Sequence, residues 1–297
     1  MRVVEPDAAQ PASLAFSKMN GLGNDFVILD ARPNDLSLSP DTVRQLAARD
    51  NRITQGCDQL LIIQPPRKAG DIFMQIFNAD GSEAQACGNG TRAVAAWLAA
   101  RDGMARSAID TLGGLLACVV DADGTVEVTM GQPRFDWQEI PLARAVDDTA
   151  RAMLHPALPP AFLVNIGNPH AVFLLDANSD LESLARQYGA ALECHELFPE
   201  KANIGFACPD HNDHGDNGDN HALHLRVWER GAGLTRACGS GACAAAIAAI
   251  AIGGLDAARV DVHQPMGVVQ ISRSDNGRGD VRMRGPATFE FDGEVSL

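Results

Sequence analysis

"ACGNGTRAVAA", Ala86 to Ala96, and "ACGSGACAAAI", Ala237 to Ile247, present one Ala-Cys-Gly-x-Gly turn twice. The second copy lies 151 positions after the first, and each heads an alanine-rich run. A second echo keeps the same order: "GNDFVILD" from Gly23 returns as "GNPHAVFLLD" from Gly167, 144 positions on. Two ordered echoes at nearly one spacing imply a duplicated unit. The fold expected is α+β: two pseudo-symmetric domains, each a mostly antiparallel, barrel-like sheet around a central helix headed by its Cys-Gly turn.

The chain of 297 residues suits two domains of about 150 residues each. Residues 1–15 read as a flexible N-terminal extension. Residues 16–131 plus 286–297 are expected to form the N-terminal half, and residues 132–285 the C-terminal half. Within the first half "FSKMNGLGNDFVILD" reads as strand, glycine turn and strand, and Ser39 before Pro40 opens a helix. "DQLLIIQP" and "DIFMQIFNAD" have strand length, and "NGTRAVAAWLAARDG" has helical propensity that ends at Gly103. The proline- and charge-richer stretch from Asp136 to Pro160 reads as a connector. "PDHNDHGDNGDN", Pro209 to Asn220, offers metal-ligand residue types, yet reads better as a solvated hairpin insertion.

A formal charge of -14 without a Lys/Arg cluster opposes nucleic-acid or anionic-membrane partners. The longest apolar run, Ala242 to Ile252, falls short of the roughly 20 residues of a membrane span and reads as a buried helix. The opening "MRVVEPDAAQPASLAFSKM" lacks the uninterrupted apolar core of an export signal, so a cytoplasmic protein is expected. Seven cysteines are an odd set and contain no paired CxxC motifs, which disfavours a disulfide framework, structural zinc or any other metal site. Cys118, alternating along a strand pattern, reads as a small buried hydrophobe.

The two matched cysteines are different. A helix N-terminus carries unpaired N–H groups and partial positive charge, which hold an anion and lower a thiol pKa toward neutrality. Gly88, Gly90, Gly239 and Gly241 let a ligand approach the backbone. One isolated CGxG turn would be an ordinary helix cap. Two of them, brought face to face, flank a small carboxylate and can remove and return a proton on opposite faces of a carbon. The reaction type is racemisation or epimerisation, with N–H dipoles stabilising charge that grows in the transition state.

"MNGLGNDFVILD", "DQLL", "FNADGSEAQACGNGTR", "GNPHAV", "NIGF" and "ERGAGLTRACGSGACAAA" together resemble the diaminopimelate epimerase family, from about Phe16 to the C-terminus. The resemblance implies epimerisation of LL-2,6-diaminopimelate to the meso isomer, a lysine and peptidoglycan precursor, with no pyridoxal phosphate, metal or nucleotide cofactor and in a homodimer. It implies Cys87 and Cys238 as the acid/base pair, with Gly88, Asn89, Gly239 and Ser240 at the reacting end. Asn24, Gln59, Asn78, Asn168, Asn203, Glu229 and Arg230 would read the second amino-acid group, where Arg230 can grip a carboxylate bidentately and Glu229 accept from an ammonium. His170 would assist proton transfer or position a thiol, and Glu229 would share the assisting role. Cys57 beside "DQLL", the turn Gln264-Pro265-Met266-Gly267 and the insertion depart from the family pattern without removing an assigned residue. The rival readings are a proline or hydroxyproline racemase, a thiol-based redox sensor and a non-catalytic amino-acid binder.

Overall fold

The glycine turn at Leu22-Gly23 joins β1 (Ser13–Gly21) to β2 (Asn24–Asp30) as an antiparallel hairpin. These elements belong to a computed structural model that describes residues 13–33, 36–210, 222–252, 259–273 and 279–296. From β2 the chain crosses through α1 (Pro40–Ala47) to β3 (Gln59–Gln64), which lies parallel to β2. The Ser39 hydroxyl caps α1 by accepting the Thr42 N–H at 3.1 Å. Next, β4 (Ile72–Asn78) pairs antiparallel with β3 and carries the two-residue β5 (Glu83–Ala84). The long helix α2 (Gly88–Asp102) follows and stops at Gly103, whose φ of 71° is the left-handed conformation that ends a helix. Then β6 (Arg106–Thr111) returns parallel to β4, and β7 (Gly114–Val120) and β8 (Val126–Gly131) continue antiparallel.

The second half repeats this pairing element for element. β9 (Phe162–Asn165) and β10 (Pro169–Leu174) form a hairpin, α3 (Leu181–Glu193) crosses to β11 (Asn203–Pro209) parallel to β10, and β12 (Ala222–Glu229) pairs antiparallel with β11. The short β13 (Gly233–Thr235) precedes α4 (Gly239–Ala251). After it, β14 (Arg259–Gln264) lies parallel to β12, with β15 (Gly267–Arg273) and β16 (Val281–Gly285) antiparallel beyond. The pairing of β16 with β8 joins the halves, and the final strand β17 (Thr288–Ser296), in the stretch 286–297 expected in the first half, pairs with β1 of that half. The mostly antiparallel duplicated α+β fold expected from the echoes is the fold found.

The strands, all in one continuous sheet, wrap a central helix in each half. Ala93, Val94, Ala95 and Leu98 of α2 pack among Phe26, Leu61, Ile76 and Val128, while α4 sits among Val164, Val172, Leu225 and Val262. Ala244, Ala245, Ala246 and Ala248 are fully buried, because only small side chains let a sheet close on a helix from every side. Helices α1 and α3 cover the outer faces, packed in separate clusters with Val27 and Leu60 and with Phe173 and Phe206. Among the described residues no helix is long and apolar enough to cross a membrane.

Two expectations change. Ser13 to Ala15 begin β1, in register with Ser296 to Glu294, because Leu14 packs on the outer cluster beside Val295; residues 1–12 of the expected extension lie outside the described residues. The stretch 136–160 forms no helix or long strand, as a connector should, yet Ile140, Leu142, Leu154 and Leu158 are buried in the α3 cluster. It is packed chain, tied down by its apolar residues, rather than a free linker. Of the expected hairpin insertion, only Pro209 and Asp210 fall within the described residues.

Candidate active site

Cys87 is the N-cap of α2 and Cys238 the N-cap of α4. In each case the sulfur takes the place of the usual capping oxygen: Gly90 N–H donates to Cys87 Sγ at 3.2 Å, and Gly241 N–H to Cys238 Sγ at 3.3 Å. The two helix starts meet. A Cβ built on Gly88 would lie 2.9 Å from Met283 Cε, and one built on Gly239 would lie 2.9 Å from Met283 Sδ and 3.4 Å from Asn89 Oδ1. Met283 fills the space under both caps, so a side chain at either position would push the end of Met283 aside.

Strand ends supply the walls, and the duplication sets them in matched quartets. In the first half Asn24 starts β2, Gln59 starts β3 and pairs with Asn78 at the end of β4, and Cys87 opens α2. In the second, Asn168 precedes β10, Asn203 starts β11, Glu229 ends β12, and Cys238 opens α4. Within the first quartet Gln59 Nε2 donates to Asn78 Oδ1 at 3.0 Å, and the Cys87 thiol faces Asn24 Oδ1 at 3.9 Å. Asn24 is oriented in turn by Asp58, which accepts its Nδ2 at 2.9 Å and is itself ion-paired to Arg49. Gln59 Oε1 is buried without a partner, so an acceptor is left over for an incoming donor.

The second quartet holds the ionisable groups. Glu229 takes the Thr235 hydroxyl at 2.5 Å and lies within hydrogen-bonding reach of Cys238. His170 occupies the register position that Phe26 fills in the first half, opposite Asn203 as Phe26 is opposite Gln59. Its Nε2 meets Asn168 Oδ1 at 2.8 Å and the Ser240 hydroxyl at 3.1 Å, and Ser240 Oγ is 3.7 Å from Cys238 Sγ. Asn203 Oδ1 accepts the Arg230 backbone N–H at 2.9 Å, while the exposed Arg230 guanidinium reaches the Glu200 carbonyl at 3.1 Å. The structure brings Asn24 to Cys87, Asn89 to Gly239, and Ser240, His170, Asn168, Asn203 and Glu229 into one contact chain at Cys238, whereas Gln59 and Asn78 bond to each other and the Arg230 side chain runs to the Glu200 carbonyl.

One expectation about the thiols is reversed. Burial pushes Cys87 up to about 11, with Glu229 adding to the rise against the Gly90 N–H and Arg92. Burial, followed by Glu229, pushes Cys238 well above its ordinary value. Desolvation outweighs the helix N-terminus because a thiolate loses more water than one or two N–H groups replace. Burial also pushes Glu229 up, and it drives His170 down to about 3, with Arg230 contributing, so the imidazole is neutral.

These shifts set a stability dome. Thiols in the unfolded chain ionise near 9.0, whereas the buried Cys57, Cys118 and Cys243 wait until about 12, so unfolding releases protons above pH 9 and stability falls from there upward. Unfolded histidine takes a proton below 6.5 and His170 only near 3, so stability also falls as pH drops through that window. Melting temperatures across pH 4–11 are expected to decline on both sides, and His170→Asn to flatten the acid limb. An acid limb unchanged by that variant would remove His170 from the account.

Sequence reading missed four contributors. Asp58 and Arg92 sit inside quoted motifs but carry no signal of whom they orient. Gln264, whose Oε1 accepts the Cys238 N–H at 2.6 Å, had been noted only as an irregular turn. Met283 lies far along the chain in an ordinary strand pattern and could not have been found.

Residues 16–136 and 162–290 match the family model described as "Diaminopimelate epimerase". Proteins named diaminopimelate epimerase from Rhodospirillum centenum and Acidiphilium cryptum are each 45% identical over 285 residues, covering 95% and 96% of this chain and 92% and 97% of theirs. One from Brucella canis is 43% identical over 286 residues, 94% of this chain and 89% of its own. A hydroxyproline epimerase from Agrobacterium vitis, solved with trans-4-hydroxy-L-proline, superposes with a TM-score of 0.61 at 14% identity over 96% of this chain and 93% of that one. A phenazine biosynthesis PhzF-family protein from Bacillus anthracis superposes at 0.62 with 16% identity, over 96% and 100%. At those identities the likeness is one of fold.

Proposed function

The chain belongs to the diaminopimelate epimerase family, and on that premise we propose that Cys87 and Cys238 are the two bases that invert one stereocentre of LL-2,6-diaminopimelate. The observation that carries this reading is the pair of sulfur-capped helix starts meeting over Met283, each with a fixed N–H on its sulfur. One thiolate takes the α-proton. The bond's electron pair moves into the adjacent carboxylate, whose growing charge is met by the N–H groups at the helix starts. The opposite thiol delivers its proton to the other face and is left as thiolate. The sulfurs thereby exchange protonation states, and the product carries one proton that was not on the substrate.

Two thiols that resist ionisation, Cys238 buried and Cys87 half-buried, need help to form one thiolate. Glu229, beside Cys238, is placed to take its proton, and the substrate's α-ammonium would favour the anion once bound. Neutral His170 acts by position, holding Ser240 beside Cys238 and Asn168 at the rim. Gly88, Asn89, Gly239 and Ser240 would hold the reacting carboxylate. The unmatched Gln59 acceptor, with Asn24, Asn78, Asn168, Asn203, Glu229 and Arg230, would read the distal amino-acid group. By the same reading the enzyme is a cytoplasmic homodimer, and sedimentation of the purified protein tests its assembly.

The decisive assay is incubation with LL-diaminopimelate in deuterated water without added cofactor, followed by NMR at the α-carbon. Deuterium is expected at one α-position as the meso isomer appears. Meso product free of solvent deuterium would sink the two-base scheme, and a requirement for pyridoxal phosphate would sink its cofactor independence.

A further inference from the structure

Arg92, at the start of the second turn of α2, is fully buried, and among the described residues no carboxylate lies within ion-pairing distance of it. Its partners are neutral. Nη2 donates to Asn89 Oδ1 at 3.0 Å, Nη1 approaches Met283 Sδ at 3.3 Å, and Nε reaches the Pro286 carbonyl at 3.4 Å. Gly285 makes room for it, since a Cβ there would lie 3.3 Å from Nε. The guanidinium is thus wedged at the seam, against the same Met283 that underlies both cysteine caps.

Such a group is costly in a dry interior unless something uses its charge. Burial lowers it only to about 10, so it remains a cation at neutral pH, and the groups it acts on are the thiols of Cys87 and Cys243. Around Cys87 the opposing charge is Glu229 across the site, which disfavours a thiolate where Arg92 favours it. The Asn89 contact has a second consequence. A guanidinium only donates, so the oxygen of the Asn89 amide must face Arg92 and its NH2 must face away. No described residue accepts from that NH2, and Asn89 lies between the two helix starts beside Gly239.

We infer that Arg92 is a positioning residue of the acid/base site: it turns the Asn89 amide so that its NH2 faces a substrate carboxylate, and it holds a permanent cation against the Met283 side chain that underlies the Cys87 cap. The inference rests on the reading of Cys87 as a base and of Asn89 as a substrate contact. It uses two separable properties of one side chain, a charge and a planar fork, and two variants separate them. Arg92→Met keeps the stem and removes both, while Arg92→Lys keeps the charge and removes the fork.

The experiment follows alkylation of Cys87 by iodoacetamide against pH, resolved by peptide mass spectrometry without substrate, alongside melting temperature and steady-state kinetics with diaminopimelate. In Arg92→Met the Cys87 alkylation midpoint is expected to rise by about one pH unit and kcat to fall at least about tenfold, without a matching loss of melting temperature. In Arg92→Lys the alkylation profile is expected to stay near wild type while KM rises. An Arg92→Met profile superimposed on wild type would overturn the charge half, and unchanged KM in Arg92→Lys would overturn the Asn89 half. Should Arg92→Met fail to fold, Arg92→Lys still decides: a shifted alkylation profile with the charge retained would overturn the proposal. If Cys87→Ser keeps its activity, the two-base reading fails, whereas the alkylation shift reports on Arg92 independently.

Discussion

Replacement of either Cys87 or Cys238 by serine is expected to lower diaminopimelate epimerisation by about 10²–10⁴-fold, the range supplied by one positioned acid or base. A hydroxyl can still cap the helix, because serine is a favoured N-cap and would accept the Gly90 or Gly241 N–H that sulfur now takes. The fold should therefore survive, and what is lost is an acid weak enough to hold a proton yet strong enough to release one. The two variants should differ in a second readout. With a single isomer in deuterated water, the variant lacking the base that faces its α-proton should lose exchange, whereas the variant lacking the opposite acid should retain some exchange without inversion. Near wild-type turnover in either well-folded variant would remove that cysteine from the chemistry.

Arg230→Met is expected to raise KM for diaminopimelate by about 10²-fold and to lower kcat as well. Removing one partner of a desolvated charge pair costs about 2–5 kcal/mol, and binding energy from the distal end is what holds the reacting carbon between the sulfurs. The side chain is exposed and tied only to the Glu200 carbonyl, while its backbone N–H, which any residue retains, bonds to Asn203. The melting temperature should hardly move. Unchanged kinetics in the folded variant would take Arg230 out of the site. Measured in parallel, proline racemisation by the wild type would move the assignment to the proline racemase reading.

The legible parts of this protein are local ones. Ser39-Pro40 and Gly103 mark helix ends because capping and left-handed turns depend on a few neighbouring residues. The "GND" and "GNP" turns, with the two Cys-Gly turns, announce the duplication because equivalent strands and helices begin with equivalent residues. Other features were not legible, for reasons that differ. Leu14 looked like part of a tail because its partner, Val295, is at the other end of the chain. The proline- and charge-rich composition of 136–160 marks a connector but not its packing, since Ile140, Leu142, Leu154 and Leu158 are buried against elements distant in sequence.

The sequence by itself determined the duplicated α+β architecture, the pair of capping cysteines and the polar residues that accompany them, since each is written in short motifs whose meaning is set by backbone chemistry. Only the tertiary structure decided the electrostatics of the site. A helix N-terminus predicts an acidic thiol, but Cys87 and Cys238 are desolvated beside Glu229 and hold their protons instead. Only packing placed Met283 under both caps and Arg92 against it without a carboxylate. Charge balance and burial depend on which distant strands close around a group, and no local pattern records that.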